Sequence, residues 1–248
     1  MFNFFIDNGA ETDGGFIISG ADYNHIKNVL RMHVGDNLLV SCDGASHLCA
    51  IERFEADAVA VKIIEKNFQN TSLPISVTLF QGLPKGDKLE LIIQKAVELG
   101  ADRIVPVEMS RSVVKIEPKK REAKRARWQA VAESASKQSK RVNVPDVLAP
   151  ITFKLAVEMA KEFDLMLVPY ESKECMQSTA NALAEIRAGM KVGVFIGPEG
   201  GFDDGEIALA ENAGGKTVSL GKRILRTETA AITALSMLML YAEIKLDI

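Results

Sequence analysis

The sequence is poor in the residues that build disulfide frameworks and metal centres. Its 248 residues include three cysteines (Cys42, Cys49, Cys175) and three histidines (His25, His33, His47). The cysteine number is odd and neither CxxC nor HExxH spacing occurs, so no disulfide scaffold, structural zinc or other metal site is expected. No run of eighteen apolar residues without charge appears, which excludes a helical membrane span. The opening MFNFFIDNGAE has no basic segment ahead of an apolar one; no secretory signal is read, and a cytoplasmic protein is expected. Nucleotide fingerprints are missing as well. GPEGGF is not GxGxxG, and GLPKGDK has no Ser or Thr after its lysine, so a dinucleotide or ATP enzyme is disfavoured.

The chain is 47% hydrophobic and 25% charged, enough for a core in one large or two small domains. Net charge is only −3, but it is unevenly spread. Residues 111–141 hold eleven Lys or Arg against three acids, a local +8 that leaves −11 for the rest. The acids are too few to pair the bases, so this segment reads as a basic face for RNA or another polyanion. Its candidate contacts are Arg111, Lys115, Lys124, Arg127, Lys137 and Arg141.

Hydrophobic periodicity divides the chain. Over residues 1–70, Phe16 and Ile18, residues 38–40, Cys49 and Ile51, and Val59, Val61 and Ile63 mark short strands between turn residues, the pattern of a small barrel or sandwich. Asp22 can cap one helix carrying Ile26, Val29 and Leu30. The polar stretch NFQNTSLP (residues 67–74) reads as a linker. Over residues 74–248, strands at 75–80, 103–107, 165–168, 192–196 and 217–220 alternate with helices, which predicts a mostly parallel α/β sheet. Asp87 with Glu90, and Asp203 with Glu206, have capping-box spacing. Residues 119–138 form a helix with Trp128, Val131, Ala132 and Ala135 on one face. The last helix, about 228–246, has almost no polar face and must be buried on several sides, within the domain or at a subunit interface.

Three strand ends carry candidate chemistry: LMLVPYES, FIGPEGGF and VSLGKRILRTETAAITAL. In open α/β sheets, ligands gather beyond the carboxyl ends of the strands. Pro198 offers no N–H, while Gly200 and Gly201 permit positive φ and close approach. A tight turn and a ligand wall both fit this spacing. Lys222, Arg223 and Arg226 precede a helix start that Thr227 or Thr229 can cap, and Glu228 suits its positive end. Basic side chains oppose the dipole there, so an anionic ligand or RNA phosphate explains their placement better than the helix does.

FIGPEGGF followed by SLGKRILRTETAAITAL resembles the RsmE family, 16S ribosomal RNA uridine N3-methyltransferases that use S-adenosylmethionine. HIKNVLRMHVGD (25–36), KGDKLELIIQKAVELGADRIVPV (85–107) and RWQAVAESASKQSKRVNVPDV (127–147) are similar to further family signatures, in order along nearly the whole chain. The resemblance implies an N-terminal PUA-like β-barrel for RNA binding (1–70) and a SPOUT-type α/β domain (74–248) with a C-terminal trefoil knot, an exception to the rule against threaded chains. It also implies a homodimer, with 16S rRNA or the small ribosomal subunit as partner.

By the same resemblance, the cofactor lies among loops 168–171, 196–201 and 220–229. Val168, Pro169 and Tyr170 come from the first. Ile196, Gly197, Pro198, Glu199, Gly200 and Gly201 come from the second. The third supplies Leu220, Gly221, Ile224, Leu225, Thr227 and Thr229. Gly197, Gly200 and Gly221 would allow backbone contacts, and Leu220, Ile224 and Leu225 apolar walls. Arg226 would stabilise the base anion or a phosphate, with Glu199 or Glu228 organising the site. His25, Lys27, Arg31, Lys85, Lys88, Lys222 and Arg223 join the basic segment as RNA contacts. Many relatives have an early arginine where this chain has Asn3, which shifts that role to residues such as Lys27 or Arg31. The alternatives are a related knotted rRNA methyltransferase acting on another base, and a catalytically silent RNA-binding or assembly factor.

Overall fold

The structure, a computed structural model, describes residues 1–6, 11–12, 14–170 and 176–246. Glu171, the end of the first expected cofactor loop, and Cys175 lie outside the described residues. The chain forms two compact units, residues 1–72 with 136–144, and residues 73–135 with 145–248.

The first unit is a six-stranded sheet built from β1 (Asn3–Phe5), β2 (Glu11–Thr12), β3 (Gly15–Ser19), β4 (Asn37–Cys42), β5 (Ala45–Phe54) and β6 (Ala58–Gln69), in the order β1-β4-β5-β6-β3-β2. β1 runs parallel to β4 and the other pairs are antiparallel. Register shifts between β5 and β6 bend the strands, and the sheet curls as a half-barrel. Its core is the alternating set read from sequence, including Phe16, Ile18, Leu38, Val40, Cys49, Ile51, Val59 and Val61. The local helix differs from expectation. α1 (Gly20–Asn24) starts after Ser19 and runs into a π turn, His25–Val29. Asp22 is not its cap; its carboxylate accepts a 2.7 Å hydrogen bond from Lys137 Nζ. The wider π turn breaks the expected face, so Ile26 is buried while Val29 is 65% exposed.

Segment 136–144 is stitched to this unit by hydrogen bonds. The Asn3 carboxamide, 3% exposed, donates to the Arg141 carbonyl (3.0 Å) and accepts from Ser41 Oγ (3.0 Å). Thr71 Oγ1 donates to the Lys140 carbonyl and accepts from the Val142 amide.

The second unit is a seven-stranded, all-parallel sheet. β7 (Ser76–Gly82), β8 (Arg103–Glu108), β10 (Ile151–Thr152), β11 (Leu165–Pro169), β12 (Lys191–Ile196) and β13 (Lys216–Val218) lie in the order β10-β8-β7-β12-β11-β13, with β9 (Asp146–Val147) also on β8. The helices are α2 (Lys88–Glu98), α3 (Pro118–Ser139), whose last turn belongs to the first unit, α4 (Phe153–Ala160), α5 (Met176–Ala184), α6 (Asp204–Asn212) and α7 (Thr227–Lys245). β7 and β12 are central and covered on both faces, so they read as apolar runs rather than alternations. Phe80 and Phe195 stack between them at 4.4 Å.

From edge strand β13 the chain returns to the middle of the sheet, where Thr227 meets the end of β12. A return of this kind is what the resemblance to a SPOUT-type domain implies. α7 buries one stripe: Ala231, Ala234, Leu235, Leu238 and Ala242. Leu240 and Ile244 remain 50% and 66% exposed, so α7 is not covered on every side. The capping box of Asp203 and Glu206 forms on α6. The one expected at Asp87 does not; Asp87 makes no side-chain cap bond and Glu90 instead pairs with Arg127 Nε at 2.6 Å. Among the described residues no helix is long and apolar enough to cross a membrane.

Candidate active site

The GPEGG sequence closes β12 with a tight turn. The Gly201 amide donates to the Pro198 carbonyl at 2.9 Å, and Gly201 adopts φ +69°, a conformation that favours glycine. The turn is pressed against its neighbours. A Cβ on Gly82, at the end of β7, would sit 2.6 Å from Pro198 N; one on Gly200 would sit 2.9 Å from Arg111 Cβ. These glycines are required by close approach of chain to chain. Arg111 then donates Nη1 to the Gly200 carbonyl (3.2 Å) and lies 4.0 Å from the Asp203 carboxylate.

Thr227 joins this turn to the loop after β13. Its hydroxyl donates to the Gly197 carbonyl (2.6 Å) and accepts from Gln81 Nε2 (2.9 Å), with Gln81 and Thr227 both buried. Neither Thr227 nor Thr229 caps α7. Arg226 is the N-cap residue, without a side-chain cap bond, and Thr229 is exposed. The rest of the loop is held by Thr179 of α5, whose hydroxyl donates to the Ser219 carbonyl and accepts from the Ser219 amide. Gly221 has φ +109°, and its amide donates to Ser219 Oγ. Tyr170, beyond β11, is tied in through its amide to the Val218 carbonyl (3.1 Å) and packs edge-on to Phe202. The three sequence-selected strand ends therefore meet at the carboxyl side of one sheet.

Glu199 points at α2. Its Oε1 accepts from the Lys85 amide (3.1 Å) and from Lys88 Nζ (2.9 Å). Glu228, in the first turn of α7, lies 3.5 Å from the same ammonium, an ion pair without a hydrogen bond. Partial burial pushes the Glu199 carboxyl up, but the hydrogen bonds from Lys88 and from the backbone amides outweigh it and hold the group below its ordinary value. The Glu199 hydrogen bond raises the Lys88 ammonium above the usual lysine value.

The remaining selected residues separate by burial. Val168 and Ile196 are buried; Pro169, Leu220 and Leu225 are half-buried; Lys222, Arg223 and Arg226 are exposed. Ile224, expected as an apolar wall, is 81% exposed. Of the basic set, Lys27, Arg31, Lys85, Lys115 and Lys124 are exposed, and His25 is half-buried beside Phe4. Others are committed internally. Arg127 pairs with Glu90, Lys137 with Asp22, and Arg141 is 3% exposed. Arg121 grips both Glu108 carboxylate oxygens at 2.7 Å. Sequence reasoning missed Gln81, Thr179 and the second role of Glu206, whose Oε1 accepts from the Ser110 amide. Only Gln81 carried a signal, a polar side chain inside an apolar strand. Among the described residues no group of three or more His, Cys, Asp or Glu could hold a metal ion.

A chain that combines a curled β unit with a parallel sheet carrying these converging loops has the make-up of an RNA methyltransferase with a PUA-type domain. Family models so described match the chain: RNA methyltransferase domain over residues 71–239 and RNA methyltransferase PUA domain over residues 18–64. Ribosomal RNA small subunit methyltransferase E of Bacillus subtilis is 41% identical over 225 residues, covering 89% of this chain and 88% of the relative. That of Mesomycoplasma hyopneumoniae is 34% identical, covering 95% and 98%. The same enzyme from Neisseria gonorrhoeae, solved bound to S-adenosyl methionine, superimposes with a TM-score of 0.81 at 30% identity, over 97% of each chain. A Legionella pneumophila methyltransferase solved with bound SAM gives 0.81 at 32%, over 96% of each. The chain belongs to the ribosomal RNA small subunit methyltransferase E family.

Proposed function

We propose that this chain transfers the methyl group of S-adenosylmethionine to N3 of a uridine in 16S ribosomal RNA, as a cytoplasmic homodimer. The observation that carries this reading is the joint between Thr227 and Gly197, which brings the loops after β12 and β13 together beyond the carboxyl ends of the sheet. Two SAM-bound relatives of the same fold support it.

The residues fit that cofactor. Gly201 and Gly221 give backbone turns that side chains disfavour, and the half-buried Leu220 and Leu225 offer apolar surface. Pro198 removes a donor that a phosphate cradle would use. When bound, the cofactor supplies an electrophilic methyl on a sulfonium. The protein's part is to align it with the base and stabilise the uracil anion left by loss of the N3 proton. N3 lies on the Watson–Crick edge, so the target base must be unpaired or splayed out. Arg226, exposed at the positive end of α7, is our candidate to meet that anion or an adjoining phosphate. Lys27 and Arg31 in the first unit, and Lys85, Lys115, Lys124, Lys222 and Arg223 in the second, remain exposed for RNA phosphates. The uncovered α7 stripe with Leu240 and Ile244 supports self-association.

Small subunits from a strain lacking the modification, incubated with labelled cofactor and mapped by mass spectrometry, test the reading. Label at N3 of a single uridine is expected. Label on another base overturns the N3 assignment, and cofactor binding without transfer favours the assembly-factor alternative.

A further inference from the structure

Resting on that reading of the pocket, we infer that Lys88 is a positioning residue for the cofactor site rather than an RNA contact. Its ammonium is the shared counter-ion that fixes the GPEGG turn to the first turn of α7. Lys88 is the first residue of α2, where the helix dipole disfavours a cation, so the local helix does not explain it. Two carboxylates from different elements do. Nζ lies 2.9 Å from Glu199 Oε1 and 3.5 Å from Glu228 Oε2. Glu199 is two residues past Gly197, and Glu228 is one residue past Thr227. Lys88 therefore adds a second fastening to the same two loops that the Thr227–Gly197 hydrogen bond already joins.

Without the ammonium, the two carboxylates would repel each other across the joint. Glu228 is the more enclosed, its side chain only 16% exposed, and its Oε2 accepts no hydrogen bond among the described residues. The charge of Lys88 is its compensation. An ammonium committed to two carboxylates, with two-thirds of its side chain covered, has little left to offer a phosphate. Exposed Lys85, on the same approach to α2, is free to do so, because it holds Glu199 through its amide rather than its side chain.

Full-length Lys88→Met and Lys88→Arg variants test this. Lys88→Met is expected to raise both the Kd (by calorimetry) and the KM for S-adenosylmethionine about tenfold. Turnover at saturating cofactor, rRNA affinity and its salt dependence should change little, and Lys88→Arg should restore most of the loss. Unchanged cofactor affinity in Lys88→Met overturns the inference. So does reduced rRNA affinity with a salt slope shallower by about one. If Lys88→Met fails to fold, Glu199→Gln decides, because it keeps shape and removes charge: a raised KM for cofactor supports the joint and an unchanged KM overturns it. Failure of the unsubstituted protein to bind S-adenosylmethionine would instead overturn the proposed function, and is read before any variant.

Discussion

At the scale of single residues, the pocket depends on missing side chains as much as on present ones. Among the glycines around the GPEGG turn, Gly82 is the tightest case, with Pro198 N and Met109 Sδ both within 3 Å of where a Cβ would stand. Gly82→Ala should cost about 1–3 kcal/mol by forcing β7 and the GPEGG turn apart, read as a lower Tm. Arg226→Ala should keep its fold, since Arg226 is exposed and makes no cap bond, yet lose about 10²-fold or more in methyl transfer. Near-normal turnover would remove Arg226 from the mechanism.

Glu199 has a pH signature of known sign. Its carboxyl is held below the ordinary value in the folded chain, so its contribution to stability is present above the unfolded carboxylate pKa. That contribution is lost as pH falls through the folded pKa. The Tm difference between the unsubstituted protein and Glu199→Gln should therefore be present at neutral pH and shrink on acidification. A difference that is constant with pH would contradict the ion pair.

Among the elements, α7 is the one whose start matters most to the site. Thr227→Val keeps the shape but strands the Gly197 carbonyl and leaves Gln81 Nε2 only its bond to the Gly82 carbonyl, a cost of about 1–3 kcal/mol for a group left unmade. Thermal unfolding should show that loss, together with weaker cofactor binding. This helix also marks what was legible in the sequence. Its extent, its apolar character and the strand ends around it could be read from periodicity, and the α6 capping box from spacing. The caps predicted for α2 and α7 could not be read, because Glu90 and Thr227 take distant partners, Arg127 and the Gly197 carbonyl, that no local motif records. The pairing of the basic run could not be read for the same reason: some of its acids sit elsewhere in sequence, as Glu108 does for Arg121 and Asp22 for Lys137. The π turn that exposes Val29 left no local mark at all.

For the whole molecule, the outer stripe of α7 that carries Leu240 and Ile244 is the exposed apolar surface that matters. Leu240→Glu should leave the protomer folded, since Leu240 is 50% exposed and outside the buried stripe, while shifting light-scattering mass from dimer to monomer. A monomeric unsubstituted protein would contradict the proposed homodimer. The separation of residues proposed for RNA contact from those spent on internal pairing also belongs to this scale. Net charge by segment overstates the surface available to a polyanion when ion pairs join residues far apart in sequence.

The Asn3 carboxamide has a consequence in time as well as space. Its acceptor is the carbonyl of residue 141, and Lys137 reaches back to Asp22 across a similar span. A chain leaving the ribosome in order therefore exposes its first 72 residues long before their closing strand of contacts exists. The half-barrel must wait, incomplete, until nearly 150 residues have been made, with its earliest strand among the last to acquire all its hydrogen bonds.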